Sequence, residues 1–305
     1  MIDERVKSLR AQMAQIGVDA WIVTGTDPHQ GEYVAPRWRT REFISGFTGS
    51  AGTVVITQNE ALLWVDSRYF IQGAQQIEGT EYKLMKLDTE GTPDPWKWLS
   101  ENMQKGSKVG VDGTSISIET FEKNSALLKK KGVELVSTSD LLLPLWKDRP
   151  EVPCTKIYKM KDEYAGFTAS AKINFVKIKL RQQGADWTFI SSIDDIAWLT
   201  NLRANDIPCN PVFVAFAFVS LDKAVLFVDK RRFDDALLEE VSKDYEIRPY
   251  ESVYEDIASL TRRGVGYYSP EKVSYAFAPA INKKRNVRGR DITTDLKARK
   301  NPVEL

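Results

Sequence analysis

The pattern of apolar positions opens with a helix. Val6, Leu9, Met13 and Ile16 recur at spacings of three and four, which places them on one helical face. Asp3 is the expected N-cap and Gly17 the expected stop. Ala20-Trp21-Ile22-Val23 then reads as a short buried strand, and Thr24 to Asp27 as a polar, glycine-bearing turn. A second copy of this pattern starts near residue 166. Ile173, Val176 and Leu180 form the stripe, Gly184 the stop and Trp187-Thr188-Phe189-Ile190 the strand, with Asp194 closing the segment. Gly17 to Asp27 and Gly184 to Asp194 span the same ten steps.

Two further echoes follow. Ala61 to Phe70 answers Ala224 to Phe233, each an apolar strand running into Val-Asp-x-Arg-x-Phe. Val109-Gly110-Val111 answers Val265-Gly266-Tyr267. The offsets drift from 167 to 163 to 156, as in two diverged copies with small deletions. A repeat of about 150 residues is a duplicated domain rather than a short-period solenoid. Pro150 and Pro153 break regular structure, so the boundary is expected within Asp148 to Pro153. Strands alternating with amphipathic helices predict a layered α/β fold in each copy. Thr53-Val54-Val55-Ile56 and Leu62-Leu63-Trp64-Val65, joined through Gln58-Asn59-Glu60, read as an antiparallel hairpin, so the sheet is expected to be mixed.

Composition narrows the class. The chain has 305 residues, with 43 Lys and Arg against 42 Asp and Glu, a net charge of +1. Such balance gives no general pull toward nucleic acid or an anionic membrane, and no partner of either kind is expected. No run approaches the ~18 apolar residues that span a bilayer. The charged start, Met1 to Arg5, does not read as a signal peptide. Cys154 and Cys209 lack C-x-x-C spacing and read as free thiols of a reducing compartment, with a cytoplasmic location expected.

Few residues offer chemistry. His29 is the only histidine, and with Asp27 and Glu32 it makes a carboxylate–His–carboxylate trio. A catalytic metal also needs second-shell support and an open position, so a turn-forming loop is the stronger reading and no metal site is expected here. No G-x-S-x-G and no H-E-x-x-H occur, and a Ser-His-Asp or Cys-His mechanism would have to use His29 as its base. Asp194-Asp195 and Asp234-Asp235 would point to opposite faces if they lay on strands. Gly46 to Gly52 lacks the Gly-Lys-Ser/Thr of a phosphate loop and reads as a glycine turn feeding a strand. Arg37, Arg39 and Arg41 alternate with Trp38 and Thr40 and read as a solvated face or an inter-subunit contact. Lys129-Lys130-Lys131 closes a helix before Gly132, where cations complement the helix dipole. Lys283-Lys284-Arg285 with Arg288 and Arg290 is the most basic local stretch. Arg68, at a strand end, can reach a substrate carboxylate or carbonyl, or it can pair with Asp66; spacing alone favours the pair.

Together these motifs resemble the N-terminal part of the aminopeptidase P (Xaa-Pro aminopeptidase) family in its long, three-domain form. The first copy carries Asp27-x-His29-Gln30-x-Glu32-Tyr33-Val34-Ala35-Pro36, Arg41-x-Phe43 through Thr53, and Trp64-Val65-Asp66-x-Arg68-Tyr69-Phe70. The second carries Asp194 to Arg203 and Asn210-Pro211-Val212-Phe213. Leu145 to Pro150 resembles the family's linker, and Lys300 to Leu305 the opening of its catalytic domain. Pro28, Gly31 and Ser67 depart from the usual alanine, serine and glycine.

The resemblance implies two tandem three-layer α/β domains with mixed sheets of the creatinase/prolidase N-terminal kind. They would occupy residues 1–149 and 150–299, with 300–305 starting a metal-dependent catalytic domain beyond this chain. The whole enzyme would remove the N-terminal residue from peptides with proline second, using two divalent metal ions, typically manganese. None of those metal ligands maps onto this chain, which would hold no cofactor of its own and shape substrate access and a homodimer. Arg68 matches an arginine placed on the substrate side, making it the candidate substrate-binding residue. A free-standing dimerisation or peptide-binding module is the alternative expectation.

Overall fold

A computed structural model describes all 305 residues, Met1 to Leu305. The chain divides into two compact units. One contains Met1–Asp27 and Glu32–Glu151, the other Pro28–Gly31 and Val152–Leu305.

The first unit comprises α1 (Ile2–Ile16), β1 (Ala20–Val23), α2 (Thr40–Ser45), β2 (Thr53–Thr57), β3 (Ala61–Val65) and α3 (Phe70–Gln76). It continues with β4 (Tyr82–Lys86), α4 (Pro95–Asn102), β5 (Lys108–Asp112), α5 (Ile118–Lys129) and β6 (Glu134–Thr138). Its six-stranded sheet runs β4-β3-β2-β1-β5-β6. The short Gln58–Glu60 turn makes β2 and β3 antiparallel, and β1 pairs antiparallel with β2. The remaining neighbours are parallel; α3 supplies the crossover from β3 to β4 and α5 that from β5 to β6, while β1 and β5 are joined through the intervening strands and α4.

Both faces of this sheet are covered. Val6, Leu9 and Met13 of α1 pack on Trp21, Val23, Ile56, Leu63 and Val65. The alternate residues Ile22, Val55, Leu62 and Trp64 face the other way and are equally buried, with Trp64 meeting Trp98 of α4 edge-on at 5.9 Å. This gives three layers, with Gly17 in the left-handed conformation ending α1. Two details differ from the expected pattern. The helix starts at Ile2, so Asp3 sits in its first turn and accepts the Glu81 N–H (3.1 Å) instead of capping. Ile16 is 45% exposed, because the helix turns that position off the sheet before Gly17, and Val18 takes the core place.

The second unit comprises β7 (Tyr158–Lys159), α6 (Asp162–Ala165), α7 (Ala169–Gln182), β8 (Trp187–Ile190), α8 (Ile193–Thr200), β9 (Leu202–Arg203), β10 (Phe216–Ser220) and β11 (Ala224–Phe227). Then come α9 (Asp235–Val241), β12 (Glu246–Arg248), α10 (Val253–Leu260), β13 (Gly266–Tyr268), α11 (Ala278–Ile281), β14 (Val287–Arg288) and α12 (Ile292–Ala298). Its main sheet, β12-β11-β10-β8-β13-β14, repeats the strand order and directions of the first. Helices α7, α8 and α12 form one packed group. On the aromatic face, Phe189 and Phe216 meet Phe277, and Phe216 stacks on Tyr250.

Strand register corrects the third sequence echo by one residue. Ala20 pairs with Val109 and Trp187 with Gly266, so Val109, not Gly110, is the counterpart of Gly266. The Asp194-Asp195 pair also lies in the first turn of α8, not on a strand.

Candidate functional site

Strand β3 delivers Asp66 to the start of a single 3-10 turn, Ser67–Tyr69. Asp66 Oδ1 accepts the Arg68 backbone N–H and Nε–H, both at 3.0 Å, and Oδ2 accepts Nη2–H at 2.8 Å. These bonds hold Asp66 below the usual carboxylate range and the Arg68 guanidinium above its own. The Arg68 side chain remains 64% exposed, lying over the Tyr69 ring. The second unit builds the same turn. Asp229 accepts the Arg231 backbone N–H (2.9 Å) and Nη2–H (2.5 Å), and these bonds depress it to about 2. The Asp-x-Arg ion pair is therefore a feature of the fold in both units.

The next residue distinguishes the two turns. Tyr69 Oη bonds Ser50 Oγ at 2.7 Å, beside a cavity of ≈ 180 Å³ in the first unit. Glu32, Tyr33, Trp38, Arg39, Arg41 and Ser50 are among its lining residues. In the second unit the matching Arg232 is buried and pairs with Asp206 at 2.7 Å.

Arg41 differs from its expected place on a solvated face: it is only 9% exposed. Nη1–H donates to Gly52 O (3.1 Å) and Nη2–H to Gly49 O. The Gly46–Gly52 loop thus wraps a buried guanidinium before feeding β2. Glycine is needed at 25, where φ is 74° and a Cβ would lie 2.7 Å from Arg41 Nη1. Burial lowers Arg41 to about 10, so it stays charged at neutral pH. Arg37, by contrast, donates to Pro150 O (2.9 Å), and Arg39 stands 3.9 Å from Glu42.

His29 groups with the second unit and is fully buried. Nδ1 lies 2.8 Å from Ser191 O, Nε2 3.0 Å from Tyr250 Oη, and the ring stacks on Phe216 at 4.4 Å. A carbonyl only accepts, so Nδ1 carries the proton and Nε2 accepts from the tyrosine. Desolvation lowers the imidazole to about 4 and keeps it neutral. Both ring nitrogens are committed, and no group of three or more His, Cys, Asp or Glu side chains is placed to hold a metal ion.

The other charged motifs serve the scaffold. Asp195 is buried and binds Lys297 Nζ (2.9 Å) and the Thr294 hydroxyl (2.7 Å), tying α8 to α12. Asp234 caps α9 through the Leu237 N–H. Lys129 lies in the last turn of α5. Arg285 donates to the carbonyls of Thr261 and Arg262, and Arg290 pairs with Asp295. Cys154 and Cys209 are exposed and unbridged. Lys172, which carries no motif signal, is 1% exposed; its Nζ donates to Trp198 O (2.9 Å) and Asn201 Oδ1 (2.5 Å) at the end of α8. Burial lowers it to about 8.

Two models of the creatinase/prolidase N-terminal domain match residues 5–145 and 148–304. The chain belongs to this family and carries its domain twice. It is 36% identical over 312 residues to the probable Xaa-Pro aminopeptidase P of Penicillium rubens, covering 99% of this chain and 51% of that one. It is 33% identical over 290 residues to Xaa-Pro aminopeptidase 1 of Dictyostelium discoideum, covering 92% and 46%. The crystal structure of X-prolyl aminopeptidase from Caenorhabditis elegans, described as a cytosolic enzyme with a di-nuclear active site, superposes with a TM-score of 0.93. It is 29% identical and covers 99% of this chain and 52% of that one. The chain spans about half the length of the relatives it matches. No helix is long and apolar enough to cross a membrane.

Proposed function

We propose that this chain is the N-terminal, non-catalytic part of a cytoplasmic metal-dependent Xaa-Pro aminopeptidase. The reading is carried by end-to-end similarity: 99% of the chain aligns with one half of an X-prolyl aminopeptidase of closely similar structure. In this reading the two units precede a catalytic domain, which would supply two divalent metals, manganese the expected pair, to polarise the scissile carbonyl and activate water. The residues of this chain do not fit that centre, since its one histidine has both nitrogens bonded within the fold.

The work of the two units is then selection and positioning. They wall the approach so that a free N-terminus enters, and they carry the contact of a homodimer. Arg68 orients the peptide beyond proline; an exposed guanidinium, held by Asp66 at a strand end, suits that task. The test is an Xaa-Pro cleavage assay with manganese on the 305-residue chain and on the full-length protein. We expect activity only from the latter. Turnover by the chain alone that survives His29→Asn would overturn the reading. An inactive full-length protein that still dimerises or binds peptide would favour the free-standing module.

A further inference from the structure

Arg41 is a buried cation whose two terminal nitrogens are held by backbone carbonyls, while its buried Nε–H has no partner. A buried, unsatisfied donor of this kind costs free energy until an acceptor reaches it. The side chain lines the ≈ 180 Å³ cavity of the first unit. Of the other charges there, Glu42 already stands opposite Arg39, and Glu32 lies in the field of Arg68. Glu42 also acts on Arg41 through its charge, but no carboxylate is hydrogen-bonded to the Arg41 guanidinium.

The neighbouring polar groups add donors. Thr48 Oγ1 accepts from the amides of Gln72 (2.9 Å) and Gln76 (2.8 Å), which frees its own proton for another acceptor. Ser50 and Tyr69 share one hydrogen bond between two hydroxyls, so one O–H remains. The Thr48 and Ser50 hydroxyls line the same cavity as Arg41, with its unpaired guanidinium N–H; such a lining suits a carboxylate, the group with which guanidinium forms its strongest hydrogen bonds.

The cavity is not isolated. Arg39, Glu42 and Thr48 also line a second hollow of ≈ 410 Å³, walled by Pro36, Pro150 and Trp146, the last stacked on Phe43 at 4.6 Å. A chain entering past these apolar walls has room for several extended residues at about 3.3 Å each.

We propose that Arg41 and its cavity bind the free C-terminal carboxylate of a short peptide whose preceding residues lie along the Pro36–Trp146 hollow. This rests on the reading that the protein acts on peptides and adds to it a recognition site for the end opposite the scissile bond. It gives the first unit a preference for short, free-acid substrates.

The experiment uses the 15N-labelled 305-residue chain and follows the Arg41 Nε–H resonance, identified by its loss in Arg41→Lys. The probes are Ala-Pro-Ala-Ala as the free acid, the same peptide as its C-terminal amide, and acetate. The free acid is expected to shift the resonance and bind about tenfold more tightly than the amide, the factor one lost charge-assisted bond produces. Should Arg41→Lys fail to fold, Arg39→Gln and Ser50→Ala, both at exposed positions, are expected to weaken free-acid binding at least threefold and leave amide binding unchanged. Equal affinity for acid and amide, or a resonance that no probe moves, overturns the site. Acetate binding as tightly as the free acid overturns the peptide assignment. Failure of these titrations while the full-length protein cleaves Xaa-Pro peptides removes the cavity and leaves the proposed function. Binding by the chain with no full-length turnover does the reverse.

Discussion

Across the parallel pair of β8 and β13, Trp187 sits opposite Gly266, and a Cβ on that glycine would lie 2.3 Å from the indole. The first unit has the same relationship one residue along: Trp21 opposes Gly110, and a Cβ there would lie 2.7 Å from the ring. Because side chains alternate along a strand, the one-residue step puts the two tryptophans on opposite faces of their sheets. Gly266→Ala and Gly110→Ala should each cost about 1–3 kcal/mol by overpacking. Thermal unfolding should register each as a midpoint lowered by several degrees. Shrinking the indole with Trp187→Leu should recover part of the Gly266→Ala loss, and an additive double mutant would show that the contact is not the cause.

That offset also marks where the sequence stops being readable. The strands, the Gln58–Glu60 turn and the left-handed Gly17 follow from local periodicity and turn chemistry, and they stand as expected. The echo between Gly110 and Gly266 matched letters, while the sheet matches pairing partners that no local pattern contains. Arg41 was misplaced for a similar reason. Its alternation with Trp38 and Thr40 resembles a solvated face, and only the return of Gly49 and Gly52 around it creates a buried guanidinium. The glycines were visible; what they enclose was not. His29 likewise meets Ser191 and Tyr250, which lie 162 and 221 residues away.

His29 should make stability depend on pH. Its folded value of about 4 lies below the unfolded 6.5, so protons bind the unfolded state more tightly in that interval. Its contribution is complete above about pH 6.5 and is lost as pH falls toward 4, by roughly 3 kcal/mol in total. The difference in unfolding free energy between wild type and His29→Phe, followed by urea titration, should change across this window and be flat above it. A difference that stays constant from pH 7 to 4 would refute a buried neutral imidazole.

Asp112 should act with the opposite sign. Burial, and secondarily the charge of Asp140, raise it to about 6. The folded state therefore holds this proton more tightly, and its contribution, complete below the unfolded value near 4, is lost as pH rises through 6. Asp112→Asn should be less harmful, or stabilising, at pH 8 relative to its effect at pH 5. The same cost at both values would show that Asp112 titrates normally.

The Arg232–Asp206 pair is buried at both ends and fully engaged, with further bonds from Thr155 Oγ1 and Val214 N–H to the carboxylate. Removing one partner strands the other charge, so Asp206→Ala or Arg232→Met alone should cost about 3–5 kcal/mol. The double variant should cost clearly less than the sum, as measured by a double-mutant cycle in urea. Additivity would mean that the two charges do not depend on each other.

Arg68 and Arg231 provide the sharpest functional comparison because they share one local geometry. Each follows an aspartate by two residues, binds it through backbone and guanidinium, and leaves most of its side chain in solvent. Solvent screens exposed pairs of this kind, so Arg68→Ala and Arg231→Ala should both leave the unfolding midpoint nearly unchanged. Their effects on catalysis should differ. If Arg68 orients the peptide beyond proline, Arg68→Ala in the full-length enzyme should lower kcat/KM for Xaa-Pro peptides about tenfold or more, while Arg231→Ala leaves it within a factor of two. Arg68→Lys should restore only part of the loss, since an ammonium lacks the planar fork. Should the two alanine variants lose activity equally, or not at all, Arg68 would be the same structural turn as its twin and no substrate contact.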